Sequence, residues 1–143
     1  MILVDTSVIV DFLKGAINQK SVLFRKILSD KTEYCISAYT YQEILQGARD
    51  EYEFSLLKKH FSAVRMCFLP ETIESYEKAA RLYFDLRRQG ITPRSVLDIL
   101  IVLTALEHNL SLLHNDKDFD LISSKLDGLQ ICEDSSTTGS NHA

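Results

Sequence analysis

Residues 112–119 read LLHNDKDF: two leucines, His114, Asn115, and then two carboxylates, Asp116 and Asp118, one residue apart. A short apolar run that stops on acids, ahead of a segment carrying Phe119 and Ile122, is the pattern of a buried strand leading into a helix. The same junction opens the chain. MILV (1–4) runs into Asp5, and TSVIVDFLKG follows, with Thr6 or Ser7 near the helix start and Gly15 past its end. In an open parallel sheet, functional residues lie beyond the carboxyl ends of the strands, where Asp5 and Asp116 both sit.

Working outward, TEYCIS (32–37), VRMCFL (64–69, closed by Pro70) and LQIC (129–132) read as further strands. Helices are expected over 19–30, over 38–62 with a break around 47–51, over 71–89, from Thr92-Pro93 to about Asn109, and over 118–125. In the 71–89 helix, positions 73, 76, 80 and 83 form one apolar stripe with 79, 82 and 86 beside it, and Gly90 supplies the stop. Strands alternating with helices predict an α/β fold: a central parallel sheet of four to five strands with helices on both faces. No repeat or linker divides residues 1–132, so they are expected to form one domain. The polar stretch EDSSTTGSNHA (133–143) is expected to be a disordered tail.

Composition narrows the class. A chain of 143 residues, 45% apolar and 25% charged, suits a single ordinary globular domain. Cys35, Cys67 and Cys132 are scattered and odd in number, which fits reduced core residues better than a disulfide framework or a zinc site. The N-terminus lacks a basic lead and meets Asp5 at once, unlike a signal peptide. VLDILIVLTAL (96–106) is too short to span a bilayer and contains an acid. The expected compartment is the cytoplasm. A net charge of −4 argues against a generic nucleic-acid coat protein, yet leaves room for an enzyme that meets phosphates through a bound cation.

Four acids stand in comparable settings. Asp5 and Asp116 can each cap the helix that follows. Glu43 fits a capping box with Thr40, and Asp98 a weaker one with Ser95. Taken singly, these structural explanations suffice. Taken together they fit less well, because Asp98 lies among almost uniformly apolar neighbours, and burying an ionised carboxylate costs several kcal/mol without a partner or metal. If the sheet is parallel, the acids converge on one rim. Two carboxylates about 4 Å apart repel by roughly 4 kcal/mol at an effective dielectric near 20. A divalent cation offsets that, and all-oxygen ligands favour magnesium or manganese over zinc.

VDTSVIVDFLKG, TYQEILQGA and SVLDILIVLTALEHNLSLLHNDKDF, in that order, resemble the PIN-domain ribonucleases, and within them the VapC toxins of toxin–antitoxin pairs. The resemblance covers residues 1 to about 122. It implies a PIN-like three-layer fold and a metal-dependent endoribonuclease that leaves a 5′-phosphate and a 3′-hydroxyl. By this resemblance Asp5, Glu43, Asp98 and Asp116 are the catalytic acids, with Asp5, Asp98, Asp116 and Asp118 around Mg2+ or Mn2+. Thr6 and Ser7 match small polar positions where a hydroxyl orients a water or a phosphate. His114 departs from the threonine many members carry. The resemblance also implies an RNA substrate, a small antitoxin partner and a homodimer.

Arg94 and Lys117 stand near the acids in sequence and are candidates to contact RNA phosphates. So are Lys14, Arg87 and Arg88, although the last two also complement a helix dipole. Tyr39 and Tyr41 precede Glu43 as candidate stacking or core residues. Two competing classes remain: a magnesium-dependent phosphotransfer protein and a non-catalytic binding module with a remnant acidic site. The phosphatase pattern requires an aspartate two residues after the first, where this chain has Ser7. A receiver domain requires one after the third strand, where Leu69-Pro70 stand. No GxSxG elbow supports a serine hydrolase.

Overall fold

A computed structural model describes residues 1–134. The expected disordered tail falls, beyond Glu133 and Asp134, outside the described residues. In chain order the elements are β1 (Ile2–Val4), α1 (Thr6–Leu13), α2 (Gln19–Ser29), β2 (Tyr34–Ser37), α3 (Ala38–Gln46) and α4 (Glu51–Phe61). They continue with β3 (Arg65–Cys67), α5 (Ile73–Arg88), α6 (Val96–Glu107), β4 (Ser111–Leu113), α7 (Lys117–Lys125) and β5 (Gln130–Ile131).

The strands form one sheet in the order β3-β2-β1-β4-β5, and every pairing is parallel. The chain builds leftward from β1 through β2 to β3, then crosses to the other side of β1 for β4 and β5. The direction of winding therefore reverses between β1 and β4, which opens a crevice at their carboxyl ends. Register sets Leu3 beside Leu112 and Val4 beside Leu113. The Asp5 amide then donates to the Leu113 carbonyl at 2.9 Å. Both strands thus end at the same level, and the segments after them share one rim.

Side chains alternate across the sheet as pleating requires. Leu3, Cys35 and Leu112 face a core built with Leu86, Ile99 and Phe119 of α5, α6 and α7. Val4, Ile36 and Leu113 face the opposite core with Val8, Phe24 and Ile44 of α1, α2 and α3. The result is three layers, as expected. Helix α6 is buried on several sides, with Ile99, Ile101, Val102, Leu103, Thr104 and Ala105 all enclosed. That burial explains its nearly uniform apolar sequence.

Two local expectations shift. Helix α6 begins at Val96, not Thr92-Pro93, because Ser95 is the N-cap and its hydroxyl accepts from the Leu97 amide. In α5 the inward face is Leu82 and Leu86 with Ala79 and Tyr83, whereas Ile73 and Tyr76 of the anticipated stripe are 78% and 63% exposed. The helix carries two apolar lines, and only one meets the sheet.

Candidate active site

Asp5 ends β1 as the N-cap of α1 and is 4% exposed. Its Oδ2 accepts from the Ser7 amide at 3.0 Å and the Ser7 hydroxyl at 2.6 Å. Burial pushes its pKa above the ordinary carboxylate value, against the lowering effect of the Ser7 bonds. Ser7 Oγ also accepts the Asn115 amide at 2.9 Å, and Asn115 Nδ2 donates to Asp11 at 2.8 Å. These bonds tie α1 to the loop after β4.

That loop presents Asp116, the N-cap of α7, whose Oδ1 accepts from the Asp118 amide at 2.9 Å. Its own amide donates to His114 Nδ1 at 3.1 Å. His114 is 2% exposed, its ring centroid is 5.1 Å from that of Phe119, and burial lowers its pKa. A neutral imidazole that accepts at Nδ1 carries its proton on Nε2, which lies 3.3 Å from Asp120 Oδ1 without hydrogen-bond alignment. The histidine thus shapes the Asp116 loop from beneath.

Asp98 lies in the first turn of α6. It is half-buried, and among the described residues its carboxylate accepts no hydrogen bond. Its pKa is pushed up to about 6, first by burial and then by the charges of Asp116, Asp5, Asp118 and Glu43. Asp98 thus feels the charge of all four other acids at the rim. Carboxylate oxygens of Asp98, Asp116 and Asp118 all lie within 4.8 Å of one another. Asp118 Oδ2 is enclosed and without a hydrogen bond, although Arg94 Nε approaches to 3.5 Å. A buried oxygen that accepts no hydrogen bond, in an all-carboxylate group, fits a hard divalent cation. Asp5 acts on this trio through charge and stands outside the group itself.

Glu43 does not cap α3. The N-cap is Ser37, whose hydroxyl accepts from the Thr40 amide, so Glu43 sits a turn further on. Its Oε1 instead accepts the Thr6 hydroxyl at 2.8 Å. Thr6 and Ser7 therefore both spend their hydroxyl protons on protein carboxylates, which makes them holders of acids. Lys117 is exposed at the start of α7, and Arg94 is exposed beside Asp118. Lys14 is exposed as the C-cap of α1. Arg87 and Arg88 lie in the last turn of α5 with guanidinium groups 5.6–6.0 Å from the Phe84 ring. Tyr41 packs into the core below α3.

Asp11, Asn115 and Ser37 were not singled out by the sequence, and Thr40 was read only as the capping-box partner of Glu43. Each is a common polar residue whose partner is distant in sequence or a neighbouring hydroxyl. The only local signal is Ser37 three residues before Thr40, a spacing that suits an N-cap.

Residues 2–125 match the PIN domain. The chain belongs to the PIN-domain family. Ribonuclease VapC11 of Mycobacterium tuberculosis is 32% identical over 124 residues, spanning 86% of this chain and 92% of that protein. Among solved structures of PIN-like fold, DNA-bound VapBC from Salmonella typhimurium superposes with a TM-score of 0.68 at 18% identity, covering 92% of this chain and 96% of that one. VapBC-1 from nontypeable Haemophilus influenzae gives a TM-score of 0.67 at 23% identity, covering 93% and 98%.

Proposed function

We propose that this protein is a divalent-cation-dependent endoribonuclease, acting as the toxin of a VapBC-type toxin–antitoxin pair, with residues 1–132 as its nuclease domain. One observation carries the reading: Asp98, Asp116 and Asp118 bring oxygens within 4.8 Å of one another, far closer than unneutralised carboxylates favour. Membership of the PIN family and likeness to a VapC ribonuclease support RNA as the substrate.

Asp98, Asp116 and Asp118 would hold Mg2+ or Mn2+, since hard cations prefer oxygen ligands. Such a cation, when bound, supplies Lewis acidity to the phosphate and a more acidic water. The chain's own residues do the rest. Asp5, fixed by Ser7, forms the back wall of the centre and adds its negative charge. Glu43, fixed by Thr6, presents its second oxygen to orient the attacking water and take up its proton. Arg94 and Lys117 meet the phosphates on either side of the scissile bond, where long, exposed cations tolerate varied RNA sequence. The products are a 5′-phosphate and a 3′-hydroxyl.

The partner is an antitoxin peptide that covers the acidic crevice, and the active form is a homodimer working in the cytoplasm. Among the described residues, no helix is long and apolar enough to cross a membrane. Incubation of the purified protein with mixed RNA tests the proposal. Cleavage is expected with Mg2+ or Mn2+, lost with chelator and regained on adding metal, with 5′-phosphorylated ends recovered by sequencing. Binding of RNA without cleavage in either metal would identify a binding module instead.

A further inference from the structure

Glu43 is held by a line of three hydroxyls. Thr6 Oγ1 lies 2.8 Å from Glu43 Oε1 and 3.1 Å from Thr40 Oγ1. Thr40 Oγ1 lies 3.3 Å from Ser37 Oγ, which also accepts the Thr40 amide at 3.0 Å. Ser37 and Thr40 are 0% and 1% exposed, so no bulk water competes for these bonds.

Each hydroxyl has one proton, and an ionised carboxylate only accepts. The Thr6 hydroxyl therefore shares its one proton between two acceptors, Glu43 Oε1 and, at longer range, Thr40 Oγ1, and Thr40 Oγ1 accepts from Ser37 as well. Ser37 Oγ is anchored in turn by the Thr40 amide at the start of α3. Hydrogen bonds that share partners away from water reinforce one another. The buried Ser37–Thr40 pair thus holds the Thr6 hydroxyl in the arrangement that reaches the Glu43 carboxylate at the edge of the acidic crevice.

We propose that Thr40, backed by Ser37, is a positioning residue for Glu43: its buried hydroxyl holds the Thr6 side chain in the rotamer that bonds Glu43 Oε1, and so fixes the Glu43 carboxylate at the crevice. Thr40 touches neither substrate nor cation. Its inference rests on the nuclease reading only for the role of Glu43, and the hydrogen-bond geometry is independent of it.

The test compares Thr40→Val, which keeps the shape and removes the hydroxyl, with Thr40→Ser, which keeps the hydroxyl. With a fluorescein-labelled single-stranded RNA of mixed sequence and Mg2+, Thr40→Val is expected to lower kcat by about 10- to 100-fold, the scale of a misplaced catalytic group. KM should stay within about twofold, and Thr40→Ser should recover most of kcat. In a Glu43→Gln background, Thr40→Val should cost little more, because residues acting through one another are not additive. A crystal structure of Thr40→Val should show Glu43 released from Thr6, a result readable even if wild type cuts no RNA. An undisturbed Thr6–Glu43 bond in that crystal, or an equal kcat loss in both backgrounds, overturns the proposal. Should Thr40→Val not fold, Thr40→Ala provides the same crystal and kinetic comparisons.

Discussion

Asp5 and Asp98 bring the same chemical group to the same rim, and the fold treats them differently. Asp5 is nearly inaccessible, yet receives two hydrogen bonds from Ser7. Asp98 is half-buried, accepts no hydrogen bond among the described residues, and faces four other acids. Glu43 belongs with Asp5, since Thr6 satisfies it. Asp118 belongs with Asp98, since its buried Oδ2 accepts no hydrogen bond and the exposed Arg94 comes only to 3.5 Å. One side of the crevice is finished by the protein and the other is left for something else. Carboxylates whose needs the chain meets are fixed parts of a wall, and those left short mark where positive charge has to arrive.

The sharpest way to break this contrast is Asp98→Asn. Cleavage should fall by at least about 100-fold, as expected for a lost transition-state contact, while the fold persists. Stability should move the opposite way. In chelator, the folded form holds the Asp98 proton up to about pH 6, against an ordinary value of 3.8 for the unfolded chain. The unfolded state therefore binds fewer protons across that interval, and wild-type stability must fall relative to the variant as pH rises from about 4 through 6. Below it both states are protonated and the difference vanishes. Melting curves of the two proteins against pH decide the matter: parallel curves would mean that neither burial nor the neighbouring acids raise the Asp98 pKa.

A smaller effect is expected on the finished side. Ser7→Ala removes the 2.6 Å bond to Asp5 and the acceptor of the Asn115 amide. The expected loss is about 1–3 kcal/mol of stability, from a charged hydrogen bond in a partly buried setting. Urea unfolding reads it, and an unchanged midpoint would show that Asp5 needs no such support. The smallest effect belongs to Arg94→Ala. Its side chain is 83% exposed and 3.5 Å from Asp118, so stability should change by less than about 0.5 kcal/mol. RNA affinity, measured by anisotropy with the Asp98→Asn protein, should weaken severalfold and lose about one unit of salt slope. An unaltered slope would remove Arg94 from the phosphate path.

The two junctions at Asp5 and Asp116 were legible because each is local: an apolar strand, an acid, a helix start. Their meeting followed from parallel pairing, which the alternation of strands and helices implies. Asp98 was legible as a charge misplaced among apolar residues. Glu43 does come near the other acids, but the local reason offered for it fails. Its capping-box spacing with Thr40 is real, but Ser37 won the cap by standing at the end of β2, where the backbone is still extended. Its true partner, Thr6, is 37 residues away, and no periodicity reports that. The outward line of α5 misled for a related reason. Ile73, Tyr76 and Ala80 have helical spacing, but which apolar line faces the sheet is decided by neighbouring helices. His114 was illegible because its role is an acceptor for one backbone amide.

Placing β1 between β2 and β4 has a consequence for how the protein is made. Chains grow from the amino end, at about 5–20 residues per second. Asp5 and Glu43 emerge early, whereas Asp98, Asp116 and Asp118 follow late, and β1 gains its second neighbour only when β4 arrives. Until then the five acids cannot share one rim in any folded form. On the proposed function, a growing copy gains its cutting centre in one closing step, when β4 docks beside β1 and carries Asp116 and Asp118 to the rim.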